Sequence, residues 1–276
     1  MARPAGDAYV SIDGEVAARV RAGAGPPVLW IHGYTLDSGI WAALWDRLPE
    51  YTHVGIDLPG HGESAPLRRE EGLGVLADRL GRIASGLGAR HVVALSFGTI
   101  VAIELAARWT DTVRTLVLGA PALGGGPQDP VTQRRYREII RCHRRSGPGK
   151  ELRDLWLRRD SNVFRHASRD PSLWALLQST VARHRWTELR DGSMHRLTAQ
   201  TQDKALLRRI TADTLLLLGE HEMPAFVASA ARIRSAVRRS RRAEVPGTGH
   251  LCLLEDPDTA AALIGVHLSA AAEGPR

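Results

Sequence analysis

Short apolar runs that alternate with stretches of helical spacing constrain this chain more than any other feature. Val28-Leu29-Trp30-Ile31, Val54-Gly55-Ile56-Asp57-Leu58, His91 to Leu95, Val113 to Leu118, Thr214 to Leu218 and Arg242 to Val245 each have the length of a strand. Between them, Ile40 to Leu48, Glu70 to Leu87, Thr99 to Arg108, Pro224 to Val237 and Pro257 to Leu268 read as helices. In the second of these, Leu73, Leu76, Leu80, Ile83 and Leu87 make one face. This alternation predicts an α/β fold with a mostly parallel central sheet flanked by helices. Ahead of it, Tyr9 to Arg21 predicts a hairpin turning at Asp13-Gly14.

The pattern breaks once. From about Asp129 to Gln202 the strand signal disappears, and the segment is arginine-rich and helical in pattern, opening after Gly124-Gly125-Gly126-Pro127. A structureless loop of that length is improbable in a compact protein. The expectation is a core of residues 1–126 and 203–276 with a helical lid insertion at 127–202. A chain of 276 residues that is 43% hydrophobic is long enough for one full core and too apolar for disorder.

Composition excludes more than it names. Two cysteines, Cys142 and Cys252, stand in no metal-ligand or redox spacing. The first residues lack the apolar stretch of a signal peptide, and no run approaches the roughly 20 residues of a membrane span. A cytoplasmic protein with no membrane partner is the expectation. The net charge is +7, carried almost wholly by arginine, the only lysines being Lys150 and Lys204. Such a balance permits anionic partners. No nucleic-acid-binding motif accompanies it, so a solvated basic surface is the reading and no nucleic-acid partner is expected.

The chemistry begins at Val92-Val93-Ala94-Leu95-Ser96-Phe97-Gly98. A strand runs straight into Ser96 and a helix begins just after it. That bend projects the hydroxyl outward, beside backbone N–H groups at the positive end of the helix. It is the nucleophile elbow, normally G-x-S-x-G, with Ala94 in place of the first glycine. A serine there also suits a helix N-cap, so the stretch alone does not decide. Ile31-His32-Gly33-Tyr34 follows the first central strand. The glycine lets the backbone turn so that the amides of Tyr34 and Phe97 could face one developing oxyanion.

His32-Gly33-Tyr34, then Asp57-Leu58-Pro59-Gly60-His61-Gly62-Glu63-Ser64, then the serine elbow resemble, in order, the α/β-hydrolase superfamily. The resemblance implies an α/β-hydrolase fold and gives His61 a structural rather than catalytic role. It implies a carboxylate just after the penultimate strand, where this chain has Leu218-Gly219-Glu220-His221-Glu222. Glu222 matches the acid position, with glutamate for the commoner aspartate and Glu220 and Asp213 as alternatives. It implies the base in Gly247-Thr248-Gly249-His250, ahead of the closing helix. The order Ser, acid, His is that of the family. Together these predict a serine hydrolase acting on a carboxylic ester, lactone or thioester, with Ser96 as nucleophile, His250 as base, Glu222 as the orienting acid, and no cofactor or metal. The same scaffold also serves acyltransferases, C–C hydrolases, lyases and cyclases, and a non-catalytic binding protein is a third reading.

In such proteins a helical lid covers the site. Here Trp156, Trp174 and Trp186, with Phe164, are candidates to line an apolar cavity, against the alternative that they pack the lid onto the core. The insertion also carries Arg134, Arg135, Arg137, Arg141, Arg144, Arg145, Arg158 and Arg159. The expected partner is a small-molecule substrate, anionic or carried on an acidic protein. Oligomeric state is left open.

Overall fold

The computed structural model describes residues 7–12, 14–159 and 161–270. Eight strands form one sheet in the order β1-β2-β4-β3-β5-β6-β7-β8. They are β1 Ala8–Ser11, β2 Ala17–Arg21, β3 Pro27–Ile31, β4 Thr52–Ile56, β5 His91–Leu95, β6 Thr115–Gly119, β7 Asp213–Gly219 and β8 Ser240–Val245. β1 pairs antiparallel with β2, and β2 antiparallel with β4; every other pairing is parallel. The central strands β5 and β6 are buried at every position, as expected of parallel strands covered on both faces. The edge strand β8 is exposed at Arg241, Arg242 and Glu244, charges that discourage further pairing. In the expected hairpin, Gly14 takes φ +81° in the connection; Asp13 lies outside the described residues.

Twelve α-helices are described. α1 Ala42–Trp45 follows a 3-10 turn at Ser38–Trp41, so the helix expected from Ile40 to Leu48 is two short pieces, the first capped by the Asp37 side chain. α2 Leu73–Leu87 buries Leu73, Leu76, Leu80 and Ile83 of the predicted face, leaves Leu87 exposed at its last turn, and ends at Gly88 in the left-handed region. α3 Phe97–Arg108 is buried from Phe97 through Ala107. Between β6 and β7 lie α4 Pro130–Ser146, α5 Lys150–Trp156, α6 Pro171–Arg183, α7 Thr187–Asp191, α8 Ser193–Ala199 and α9 Lys204–Leu207. Asp129 and Asp170 cap α4 and α6, each followed by proline at the first helical position. α10 Pro224–Ala236, α11 Cys252–Glu255 and α12 Pro257–Ala270 complete the chain. Among the described residues no helix is long and apolar enough to cross a membrane.

The helical segment leaves the core and returns to it at one place. Gln202 N donates to Gly124 O at 2.9 Å, and Gly124 N donates to Gln202 Oε1 at 3.1 Å. Below it, Trp30, Trp41 and Trp45 fill the core, with the His53 ring stacked on Trp45 at 5.2 Å.

Strand order positions the site. β3 lies between β4 and β5, so the chain leaves β3 toward one side and returns on the other. In open α/β sheets such a reversal opens a crevice at the carboxyl ends of the two strands. Here those ends carry Gly33-Tyr34 and Ser96.

Candidate active site

Ser96 occupies the bend between β5 and α3 at φ +52°, ψ −122°. A non-glycine residue there costs about 1–3 kcal/mol and persists only where its surroundings impose it. They do: Ser96 N donates to Gly119 O on β6 at 2.9 Å, and α3 is buried along nearly its whole length. Two positions on, a Cβ on Gly98 would stand 2.4 Å from His32 O and 2.6 Å from Ile31 O, so only glycine lets α3 approach β3 this closely. Ala94, the departure from the usual elbow, is fully buried within β5 in register with Ile31 and Leu118.

The structure brings Ser96, His250 and Glu222 together. Ser96 Oγ lies 2.8 Å from His250 Nε2, and His250 Nδ1 lies 2.9 Å from Glu222 Oε1. Both the imidazole and the carboxylate are almost wholly buried. Glu222 Oε1 also accepts the Met223 amide at 2.8 Å, while Oε2 is buried without a hydrogen-bond partner among the described residues. Phe226 packs its ring 4.4 Å from the imidazole. The alternative carboxylates are engaged elsewhere. Glu220 accepts the Gly247 amide, and Asp213, at the opposite end of β7, pairs with Arg239.

His250 sits between β8 and α11 on a loop held from two sides. Glu255 accepts the amides of Gly249 and Leu251, the residues flanking the histidine. Burial raises the pKa of Glu255, against the lowering effect of those amides. The sequence gives no sign of this brace. It acts through backbone amides and leaves no motif.

The amides of Tyr34 and Phe97 form no hydrogen bond within the described residues, and both residues line the same cavity as Ser96 and His250. That cavity measures about 500 Å³. Its walls are largely apolar, with Leu123, Ile140, Val163, Phe164 and Leu251 among them, and Arg137, Gln133 and His195 supply polar groups. Trp156 lines it. Trp174 and Trp186 do not, which corrects the sequence expectation. Trp174 stands behind Phe164 at 6.2 Å with Arg159 over its outer face, and Trp186 packs edge-on against Tyr34 and His184. Trp174 packs within the helical segment, and Trp186 packs that segment onto the turn after β3.

His61 lies away from the relay, its ring 4.5 Å from that of His184, its Nδ1 bonded to Pro59 O, and its pKa pushed well down by burial. Cys252 is buried against Leu217 O, and burial raises its pKa, so it is no nucleophile. One further group went unread in the sequence. Glu188 of α7 accepts the Tyr34 hydroxyl at 2.7 Å and pairs with His184 at 3.1 Å.

Residues 28–263 match the model of the Alpha/beta hydrolase family. The pimeloyl-(acyl-carrier protein) methyl ester esterase of Nitrosospira multiformis is 27% identical over 269 residues, covering 89% of this chain and 95% of that protein. The dihydrolipoyllysine-residue acetyltransferase component of the acetoin cleaving system of Cupriavidus necator is 36% identical over 117 residues. That match covers 41% of this chain and only 31% of the relative's length. Among solved structures, a thermophilic esterase from Thermogutta terrifontis superposes with a TM-score of 0.75 at 23% identity, covering 97% of this chain and 99% of the other. At that identity the likeness is one of fold.

Proposed function

Since this chain belongs to the alpha/beta hydrolase family, we propose that it is a serine esterase that cleaves a carboxylic ester, lactone or thioester through Ser96, His250 and Glu222. The observation that carries this reading is the unbroken pair of hydrogen bonds, 2.8 and 2.9 Å, from hydroxyl through imidazole to carboxylate. Esterases among the relatives support ester chemistry over the other reactions that the scaffold hosts.

His250 Nε2 takes the Ser96 proton as Oγ attacks the carbonyl carbon. Glu222 holds Nδ1–H and stabilises the imidazolium that forms. The oxyanion is received by the Tyr34 and Phe97 amides, donors of a kind worth about 3 kcal/mol each in the transition state. His250 then passes its proton to the departing alcohol or thiol. A water enters, loses a proton to His250 and attacks the acyl-enzyme, and Ser96 leaves with that proton restored.

The apolar cavity suits an acyl chain or ring beneath the helical segment, which we take as a lid. Arg134, Arg137, Arg141 and Arg144 are exposed on α4 at spacings of three, four and three, one face of the helix, and Arg137 reaches the cavity. This row favours a substrate that is anionic or borne on an acidic carrier. Labelling by a fluorophosphonate and turnover of p-nitrophenyl butyrate, both abolished in Ser96→Ala, test the proposal. Equal turnover by parent and Ser96→Ala would remove its basis.

A further inference from the structure

The turn after β3 takes its side-chain hydrogen bonds from the helical segment. Tyr34 OH donates to Glu188 Oε1 at 2.7 Å. Trp156 Nε1 donates to Thr35 Oγ1 at 2.8 Å, and that hydroxyl donates onward to the carbonyl of Tyr34 at 2.7 Å. Arg183 donates to Asp37 at 2.7 Å. Three residues from α5, α6 and α7 thus converge on the four positions 34 to 37.

From the core, hydrogen bonding reaches only as far as Gly33, while the Tyr34 ring packs on His61 and Phe97 and Leu36 is buried. His32 Nδ1 bonds Gly33 O at 2.8 Å, its other nitrogen fixed by the Leu58 amide. Beyond Gly33 the chain turns sharply, Leu36 N reaching back to Gly33 O. Within that turn Thr35 stands at φ +62°, an outlier for a β-branched residue. A strained turn needs external restraint. Here the restraint comes through buried groups, with Thr35 at 0%, Glu188 at 4% and Trp156 at 5% exposure. Glu188 is itself steadied, its Oε1 also facing His184 Nε2 one helical turn away. Burial and the neighbouring Tyr136 and Glu188 raise the Tyr34 pKa well above its usual value, so the phenol remains a donor.

We propose that the helical segment sets the Tyr34 amide for oxyanion binding, with Glu188 and Trp156 as positioning residues, so that ester cleavage requires this segment to be docked. The inference rests on the serine-esterase reading above. Loss of an oxyanion donor lowers kcat about 10²–10³-fold, and a donor loosened but still present is expected to lower it about tenfold.

The test uses p-nitrophenyl butyrate, with active sites counted by fluorophosphonate titration so that unfolded protein does not enter kcat. Tyr34→Phe and Glu188→Leu are each expected to lower kcat per site about tenfold while KM stays within about twofold. The double variant is expected to be no worse than either single, because both break one contact. Affinity for a trifluoromethyl ketone, whose serine adduct carries an oxyanion, should fall in proportion, while inhibition by butyrate should not change. Glu188→Gln, which keeps an acceptor oxygen, should recover most of the loss. Unchanged kcat per site and ketone affinity in both single variants overturn the inference and leave the esterase reading standing. A parent protein that neither labels nor turns over the ester overturns both.

Discussion

Shortening Glu222 to aspartate installs the residue commoner in the family, and the geometry predicts that it costs activity here. The carboxylate accepts from His250 Nδ1 at 2.9 Å. Removing one methylene withdraws it by up to one carbon–carbon bond, about 1.5 Å. The gap becomes ~4 Å, beyond hydrogen-bond reach. The loop offers little slack, because the Glu222 amide is fixed to Gly219 O and the His221 amide to Thr248 O. A lost hydrogen bond to a charged group amounts to about 1.5–3 kcal/mol. That converts to roughly 10–150-fold in kcat. Glu222→Gln keeps the length but removes the charge that stabilises the imidazolium, and is expected to lose about 10³–10⁴-fold. The order parent, then Asp, then Gln is measured as kcat for p-nitrophenyl butyrate per titrated site, with melting temperatures recorded alongside. An aspartate variant as active as the parent would refute the reasoning. So would Glu220→Gln losing as much as Glu222→Gln.

Two further outcomes are expected. His53 and His91 are buried neutral, with pKa lowered by desolvation from 6.5 to about 4. His53 accepts the Trp30 indole N–H and has no room for a second proton there. The unfolded chain therefore binds more protons than the native one between those two values. Stability is full above pH 6.5 and falls as pH drops toward 4, by about 3 kcal/mol for each residue. Urea unfolding at pH 7 and pH 4.5 reads this, and His91→Gln should flatten part of the slope; identical midpoints at the two pH values would exclude it. For the arginine row, Arg137→Glu with Arg141→Glu should raise KM about tenfold for an ester bearing a distal carboxylate and leave a neutral ester unaffected, the difference shrinking as salt rises. Equal effects on both esters, or none on either, would dismiss a role for the row in anion recognition.

The strands were legible because burial on both faces leaves unbroken apolar runs, as in Val92-Val93-Ala94-Leu95 and Leu215 to Leu218. Their ends were less so. β8 starts at Ser240, two residues before the start read from the sequence at Arg242, because an exposed edge strand can be built from arginine. α2 starts at Leu73 rather than Glu70, since the three residues before it carry no cap that the sequence could advertise. Ser96, His250 and Glu222, which the structure brings together, each sit beside a small residue or a strand end that marks the place. Glu255 and Glu188 carry no such mark. One works through two backbone amides, and the other meets its phenol 154 positions away. Trp174 and Trp186 misled for a related reason: in the sequence a bulky aromatic looks the same whether it faces a cavity or packs against another side chain.

The paired hydrogen bonds between Gly124 and Gln202 make a closed neck, and a closed neck insulates. Whatever lies above it can grow, shrink or be exchanged while the two chain ends still meet at the same spacing, so β6 and β7 keep their register. Lengthening such a span adds little entropic penalty, about 0.6 kcal/mol for each doubling. Substrate preference in a protein built this way can drift as a cassette, independently of the sheet beneath, with one reservation. A replacement cassette must also bring its own carboxylate for the Tyr34 phenol and its own donor for Thr35.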